Sequence, residues 1–301
     1  MPVTKTNRGA TLVQGKYEGS VVIPAHNEER VIRRCLEALT NGTGKLSGAS
    51  PLEIVVVCNG CTDQTAVVAR RFPHVTVIEI PEPSKVAALN TGDEVVTAFP
   101  RIYLDADSEL SFASARSLLR ETVHHKDPAI VTASVEFETG GCSALARSYV
   151  RGSKRTSFVK FGVNAGGVYA LNGCGRARFG RFPELTSDDH YVASLFDTDE
   201  QIIDPNAKVI TRPPRDVRSL IRVRTRIYYG NREAEAREPG NHPPWRGWRN
   251  VGYAIRRTRS LGETGDLMVY MSINFIAKWM AHKMARSGSH LTWQRDDSSR
   301  M

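Results

Sequence analysis

The chain has 301 residues, of which 41% are hydrophobic and 24% charged, an ordinary globular balance with length for one large α/β domain or two smaller ones. No apolar run approaches the roughly 20 residues of a membrane span, and the polar Met1–Gly19 stretch lacks the apolar core of a signal peptide, so a cytoplasmic location is expected. The net charge of +9 favours nucleic acid, anionic lipid or a phosphorylated substrate as partner, and five scattered cysteines argue against structural disulfides.

Val21-Val22-Ile23 predicts a buried strand that stops at Pro24, and Glu28–Leu39 an amphipathic helix with Val31, Cys35, Leu36 and Leu39 on one face. Asn41–Ser50 is a Gly/Ser-rich loop. A strand at Ile54–Val57 precedes a helix at Gln64–Phe72, with Thr62 or Asp63 as its cap. Further elements follow: strand Val75–Ile80, helix Lys85–Thr97, strand Ile102–Leu104, helix Ser114–His125, strand Ile130–Phe137 and helix Ala144–Phe158. Gly162–Arg181 is a glycine-rich region suited to an active-site loop. A strand lies within Glu200–Thr211, an Arg-rich helix begins near Val217, Glu238–Trp248 reads as a linker, and Asp266–Arg286 is a last amphipathic helix.

Four strand–helix alternations in the first 110 residues predict a parallel sheet with right-handed crossovers. Ligands bind beyond the carboxyl ends of such strands. The loops Pro24–Glu28 and Asn59–Asp63 and the element Asp105-Ala106-Asp107 should therefore converge on one cleft. No G-x-G-x-x-G opens a helix and no G-x-x-x-x-G-K-[ST] occurs, which disfavours a dinucleotide-binding Rossmann domain and a P-loop enzyme.

Asp105 and Asp107, one residue apart at a strand end, can hold a hard divalent cation, and the later pair Asp188-Asp189 can supply a general base. Read alone, the first pair is equally a strand-end cap and the second a solvated helix N-terminus. Cys58-Asn59-Gly60-Cys61 is a C-x-x-C after a strand, where a thiol redox pair would sit, and zinc would need further ligands. The Arg212–Arg259 excess, with Arg218, Arg222, Arg224 and Arg226, suits a phosphate-bearing ligand, a membrane surface or a solvated helix face. In Asp266–Arg286, Phe275 and Trp279 with Lys278, Lys283 and Arg286 suit either a helix packed on the fold or one lying on an anionic membrane.

Taken in order, Val21-Val22-Ile23-Pro24-Ala25-His26-Asn27-Glu28-Glu29, Asn59-Gly60-Cys61-Thr62-Asp63, Lys85–Gly92, Asp105-Ala106-Asp107, and Gly180-Arg181-Phe182-Pro183 followed by Asp188-Asp189 resemble the motif series of family 2 glycosyltransferases, over about Ser20–Thr211. The resemblance implies a mostly parallel GT-A sheet flanked by helices. It also implies a tail over 1–19, a transferase domain over 20–215 and a helical extension over 216–301. The implied activity is a metal-dependent, inverting transfer from a nucleoside-diphosphate sugar to a glycan, a lipid-linked acceptor or a small molecule, with Mg²⁺ or Mn²⁺ as cofactor and no nucleic acid as partner. By that resemblance Pro24, Ala25, Asn27 and Glu28 line the base and ribose pocket. Asn59 stands where an Asp contacts uracil or guanine. Lys85, Asp105 and Ala106 lie near the nucleotide, Asp107 and Asp105 bind the metal, and Glu109 is a second metal ligand in some polyprenyl-phosphate sugar transferases. Asp189 is the base, Asp188 replaces a Glu, and Arg226 or Arg224 closes over the diphosphate. Arg224-Thr225-Arg226 lacks the Trp of processive members, so a polymer-extruding synthase is disfavoured. A non-catalytic nucleotide-sugar or carbohydrate-binding relative is the alternative, and peripheral attachment to the inner membrane face is a further expectation.

Overall fold

A computed structural model describes residues 17–41, 52–155, 167–185, 187–237 and 246–286, with side chains left aside over 233–251. The loop expected at Asn41–Ser50 lies outside these residues apart from Asn41. So do parts of the glycine-rich region and of the Glu238–Trp248 linker.

The elements run in chain order as β1 (Gly19–Ala25), α1 (Ile32–Thr40), β2 (Leu52–Asn59), α2 (Thr65–Ala69), β3 (Val75–Ile80), α3 (Lys85–Val95), β4 (Arg101–Leu104), β5 (Glu109–Leu110) and α4 (Phe112–His124). They continue as β6 (Ile130–Phe137), α5 (Ala144–Ser153), β7 (Val168–Leu171), α6 (Gly173–Arg176), α7 (Asp188–Ser194), β8 (Gln201–Thr211), α8 (Val217–Arg237), α9 (Arg246–Arg257) and α10 (Leu261–Arg286).

All eight strands form one sheet in the order β3-β2-β1-β4-β7-β6-β8-β5. The β3-β2-β1-β4 half is parallel throughout, with Val21 opposite Ile54 and Ile102. The remainder is mixed: β7 runs antiparallel to both β4 and β6, β8 is parallel to β6, and β5 is antiparallel to β8. The sequence pattern foresees the parallel half well and misses the reversal at β7, because a four-residue strand carries no mark of its direction.

Alternation along β1 explains why its run is apolar throughout. Successive side chains of a strand point to opposite faces. Val21 and Ile23 join Ile32, Leu36 and Leu39 of α1 and Leu118 of α4 on one side. Val22 joins Val86 and Leu89 of α3 and Phe182 on the other. Gly92 lets α3 settle on the sheet, since a Cβ there would lie 2.4 Å from Val22 Cγ1.

Serine caps mark three helix starts: Ser84 Oγ accepts from Ala87 N at 3.1 Å, Ser111 Oγ from Ser114 N at 3.1 Å and Ser143 Oγ from Ala146 N at 3.2 Å. The expected Thr62 or Asp63 cap differs. Asp63 instead accepts from Thr65 N (3.0 Å) and Glu29 N (3.2 Å), so it joins two loops as well as opening α2.

A third cluster (Cys142, Ala146, Tyr149, Val150, Leu220 and Ile273) joins α5, α8 and α10. Arg151 grips Asp266 with Nε and Nη2 at 2.8 and 2.7 Å, which holds that carboxyl below its usual range. No helix among the described residues is long and apolar enough to cross a membrane.

Candidate active site

In the order β2-β1-β4, chain direction leads away from β1 on both sides, and a crevice opens beyond the carboxyl ends of β1 and β4. A pocket lies there, lined by Pro24 at the end of β1, Lys85 and Leu89 of α3, Tyr103, Leu104 and Asp105 at the end of β4, Gly167 and Tyr169 of the β7 region, and Asp188 and Asp189 of α7.

Lys85 is its centre. Its Nζ lies 2.8 Å from Asp105 Oδ1 and 2.8 Å from Asp188 Oδ1. Burial disfavours the charged ammonium, but Asp105, Asp188 and Asp189 outweigh it and raise the Lys85 pKa. Asp189, next along α7, has its pKa pushed up to about 7, first by burial and then by the Asp188 charge, with Lys85 pulling the other way. Asp189 Oδ1 accepts from His190 N at 2.7 Å, which orients the carboxyl.

The Asp105 turn is held by main chain: Asp105 N donates to Gly167 O at 2.7 Å and Ser108 N to Asp105 O at 3.0 Å. Gly167 has φ +67°, and a Cβ on it would lie 2.7 Å from Asp105 Oδ2, so glycine is required where this backbone meets the carboxylate.

The β1–α1 and β2–α2 loops clasp each other. Asn27, at φ 54°, accepts through Oδ1 from Thr62 N at 2.7 Å, and Glu28 N donates to Thr65 Oγ1 at 2.7 Å. His26 Nδ1 donates to Asn59 O at 2.6 Å. Asn59 is buried: its Nδ2 donates to Ala25 O at 3.0 Å, while its Oδ1 has no hydrogen-bond partner. Cys61 Sγ donates to Ala25 O at 3.4 Å and accepts from Asn27 N at 3.3 Å. A hydrogen bond with Cys58, helped by the Asn27 N–H, lowers the Cys61 pKa against the opposing effect of burial.

The structure thus brings Pro24, Lys85, Asp105, Asp188 and Asp189 into one pocket. Ala25 and Ala106 are buried beside it, and Asn27 and Glu28 lie in the clasped loops. Asp107 is half-buried, two residues beyond Asp105. Glu109, on β5, faces arginines: its carboxylate pairs with Arg212 and, at 3.5 Å, with Arg34. Arg224 donates to Asn274 Oδ1 and Tyr228 Oη, each at 3.1 Å, within the helical layer. Arg226 is half-buried on α8 and does not line the pocket.

Sequence reasoning passed over Tyr103 and Tyr169. Their rings stack at 4.9 Å, and Tyr103 Oη donates to Asp93 Oδ1 at 2.6 Å. Tyr169 Oη is buried without a hydrogen-bond partner, and burial beside Asp188 raises its pKa well above the usual value, so it keeps its proton. No motif marks either residue; only the β4–β7 register, with Tyr103 opposite Tyr169, puts them in the pocket wall.

Three comparisons bear on this site. The sequence model described as "Glycosyl transferase family 2" matches residues 20–168. The glycosyltransferase AglE of Haloferax volcanii is 37% identical over 93 residues, covering 29% of this chain and 30% of that protein. An uncharacterized glycosyltransferase of Escherichia coli K12, YibD, is 32% identical over 95 residues, covering 30% of this chain and 26% of its own length. The matched region therefore spans under a third of each curated relative. Among solved structures, a mannosyltransferase from Pyrobaculum calidifontis, in complex with GDP-Man and Mn²⁺, superposes with a TM-score of 0.56 at 18% identity, covering 90% of this chain and 76% of that one. Glucosyl-3-phosphoglycerate synthase from Mycobacterium tuberculosis, in complex with Mn²⁺, UDP-Glc and phosphoglyceric acid, does so with a TM-score of 0.51 at 18% identity, covering 71% and 78%. These structures share the GT-A fold with this chain, which, on the match over residues 20–168, belongs to glycosyl transferase family 2.

Proposed function

We propose that this protein transfers a sugar from a nucleoside-diphosphate sugar to an acceptor hydroxyl or phosphate, with inversion at the anomeric carbon. The observation that carries the reading is Lys85, held 2.8 Å from both Asp105 and Asp188 with Asp189 beside them, at the carboxyl ends of β1 and β4. One cation and three carboxylates in a single small pocket bring together a group for a diphosphate and a group for an acceptor proton.

Each side chain has a part. Lys85 carries positive charge into the pocket and meets the donor diphosphate. Asp189, once ionised, takes the proton of an acceptor hydroxyl that approaches the anomeric carbon from the face opposite the leaving group; a single displacement of this kind inverts configuration. A phosphate acceptor arrives ionised and needs no base. Asp188 keeps Lys85 in place and, through its charge, raises the basicity of Asp189.

The donor set also suits a divalent metal. Asp105 and Asp107 offer hard oxygen atoms, and among the described residues no group of three His, Cys, Asp or Glu side chains forms a complete cage. Mg²⁺ and Mn²⁺ are commonly held by one or two carboxylates with substrate phosphates completing the shell, and Asp105 and Asp107 would hold the ion here. Bound there, the ion would offset charge on the departing nucleoside diphosphate. Glu109, already paired with two arginines, supports this turn from β5.

The test is release of nucleoside diphosphate from a panel of UDP-, GDP- and CDP-sugars with candidate acceptors, with and without Mn²⁺. Mn²⁺-dependent release from a UDP- or GDP-sugar is expected, lost in Asp107→Ala with the fold retained. Binding of the nucleotide sugar without turnover, for every acceptor class, would make the chain a binding relative instead.

A further inference from the structure

The last helix packs one face on the fold and leaves an apolar face exposed. One face of α10 packs inward through Leu267, Ile273, Asn274, Ala277 and Ala281. The opposite face carries Leu261 (92% exposed), Met268 (64%), Phe275 (73%) and Trp279 (59%), with Met271 beside them. Leu261, Met268, Phe275 and Trp279 follow one another at spacings of seven, seven and four, which keeps them on a single stripe of a helix with about 3.6 residues per turn. A ridge of large apolar side chains this exposed calls for an occupant.

The charges on this helix name one. Its carboxylates, Glu263 and Asp266, are both taken by arginines of the α5 end, Glu263 at 3.0 Å from Arg155 and Asp266 at 2.7 Å from Arg151. The cations border the ridge instead. Lys278, Lys283 and Arg286 are exposed towards its carboxyl end, and Lys283 Nζ lies 5.7 Å from the Trp279 ring centroid. At the other end Arg256, Arg257 and Arg259 are exposed around Leu261, with Ile255 57% exposed next to them. The pattern is an apolar ridge with an indole, cations at both ends and carboxylates confined to the packed side. It matches an interfacial helix, whose apolar side chains enter the acyl boundary while Lys and Arg reach the headgroups.

We propose that α10 seats the protein on an anionic membrane surface, by insertion of Phe275, Trp279 and Met268 and by contact of the flanking arginines and lysines with phosphate headgroups. This goes beyond the transfer reading and does not depend on it. A rigid helix bound to α5 through Asp266 carries the rest of the fold with it. Because α8 packs against both α10 and α7, the helix bearing Asp188 and Asp189 is one layer from the membrane-seated one.

The experiment uses the full chain and sedimentation with vesicles, so donor, acceptor and turnover play no part. Phosphatidylcholine vesicles are compared with vesicles containing phosphatidylglycerol, at about 0.05 M and about 0.5 M salt, conditions that separate screened from unscreened charge. Binding is expected only to the anionic vesicles, weakened at high salt, with the tryptophan emission shifting blue. Phe275→Ser with Trp279→Ser should lower vesicle binding by about tenfold or more while circular dichroism and thermal unfolding stay as in wild type, since both side chains are solvent-facing. Lys278→Glu with Lys283→Glu should abolish the preference for anionic lipid. Absence of binding by folded wild type overturns the proposal, as does binding indifferent to both variants. So does a concentration-dependent dimer that the Phe275/Trp279 variant abolishes without any vesicle binding, which would make the occupant a second copy of the chain.

Discussion

Asn90 and Phe182, 92 residues apart, are joined by a pair of hydrogen bonds: Asn90 Nδ2 donates to Phe182 O at 3.1 Å, and Phe182 N donates to Asn90 Oδ1 at 2.8 Å. A carboxamide that satisfies both polar groups of one distant residue acts as a splint. It ties α3, which carries Lys85, to the segment leading into α7, which carries Asp188 and Asp189. Phe182 also packs edge-on against Tyr103, with centroids 5.3 Å apart, so the splint reaches the pocket wall.

Asn90→Ala leaves the buried Phe182 N–H and C=O without their partners, at an expected cost of about 1–3 kcal/mol in stability. The nucleotide should still bind, since Asn90 does not line the pocket, whereas turnover should fall as α7 loosens. Denaturant unfolding, nucleotide titration and turnover check the three parts separately. Wild-type stability together with wild-type turnover would remove the splint role.

Asp189 yields a signed pH dependence. Its pKa is raised to about 7, so the fold favours the neutral carboxyl over the ionised one. Its contribution to stability is therefore greatest at acid pH and declines as pH rises from the ordinary carboxylate range to about 7. Activity towards a hydroxyl acceptor runs the other way, rising through about pH 7 as the base ionises and levelling above it. Asp189→Asn should keep nucleotide-sugar binding and lower the transfer rate by about 10²-fold or more, without that pH rise. If Asp188→Asn were the damaging change and Asp189→Asn silent, the base would be Asp188.

Tyr169→Phe removes one buried hydroxyl that has no partner in the protein. If that hydroxyl meets nothing, the variant should gain stability slightly. If it donates to bound substrate, stability is unchanged or improved while kcat/KM falls by about 10-fold, the reach of one neutral hydrogen bond. The second pattern is expected, because the residue lines the pocket beside Asp188 and Asp189. Thermal unfolding and steady-state kinetics on the same preparation distinguish the two.

Cys61 joins the loop clasp, which supports a structural part for the C-x-x-C pair. Cys61 Sγ already bonds Ala25 O and Asn27 N, and a serine hydroxyl can take both roles. The double change to serine should retain transfer under reducing and oxidising conditions alike, with a stability loss of about 1 kcal/mol. A thiol–disulfide activity lost in that variant would restore a redox role for the pair.

The residues of β1 show how far a single sequence reaches. An uninterrupted Val-Val-Ile fits a strand covered on both faces, because no amphipathic pattern survives burial from two sides, and the strand runs on through Pro24 to Ala25. The strand–helix alternation then placed Pro24 and Asp105 at the same end of a parallel sheet, since parallel strands share the end at which ligands bind. Lys85 and the Asp188-Asp189 pair were legible as residues with chemistry, but not as neighbours. Their 2.8 Å contact depends on a reversal at β7 and on the Asn90 splint, both of them long-range pairings without local sequence marks. The same holds for Tyr169, an ordinary apolar-strand residue until the register sets it opposite Tyr103. The fate of Phe275 and Trp279 was undecidable from spacing, because α10 is apolar on two faces and periodicity alone cannot say which one the fold buries. The tertiary structure decided it by burying Leu267, Ile273, Ala277 and Ala281, with Asp266 held by Arg151 on the same side, which leaves Phe275 and Trp279 facing solvent.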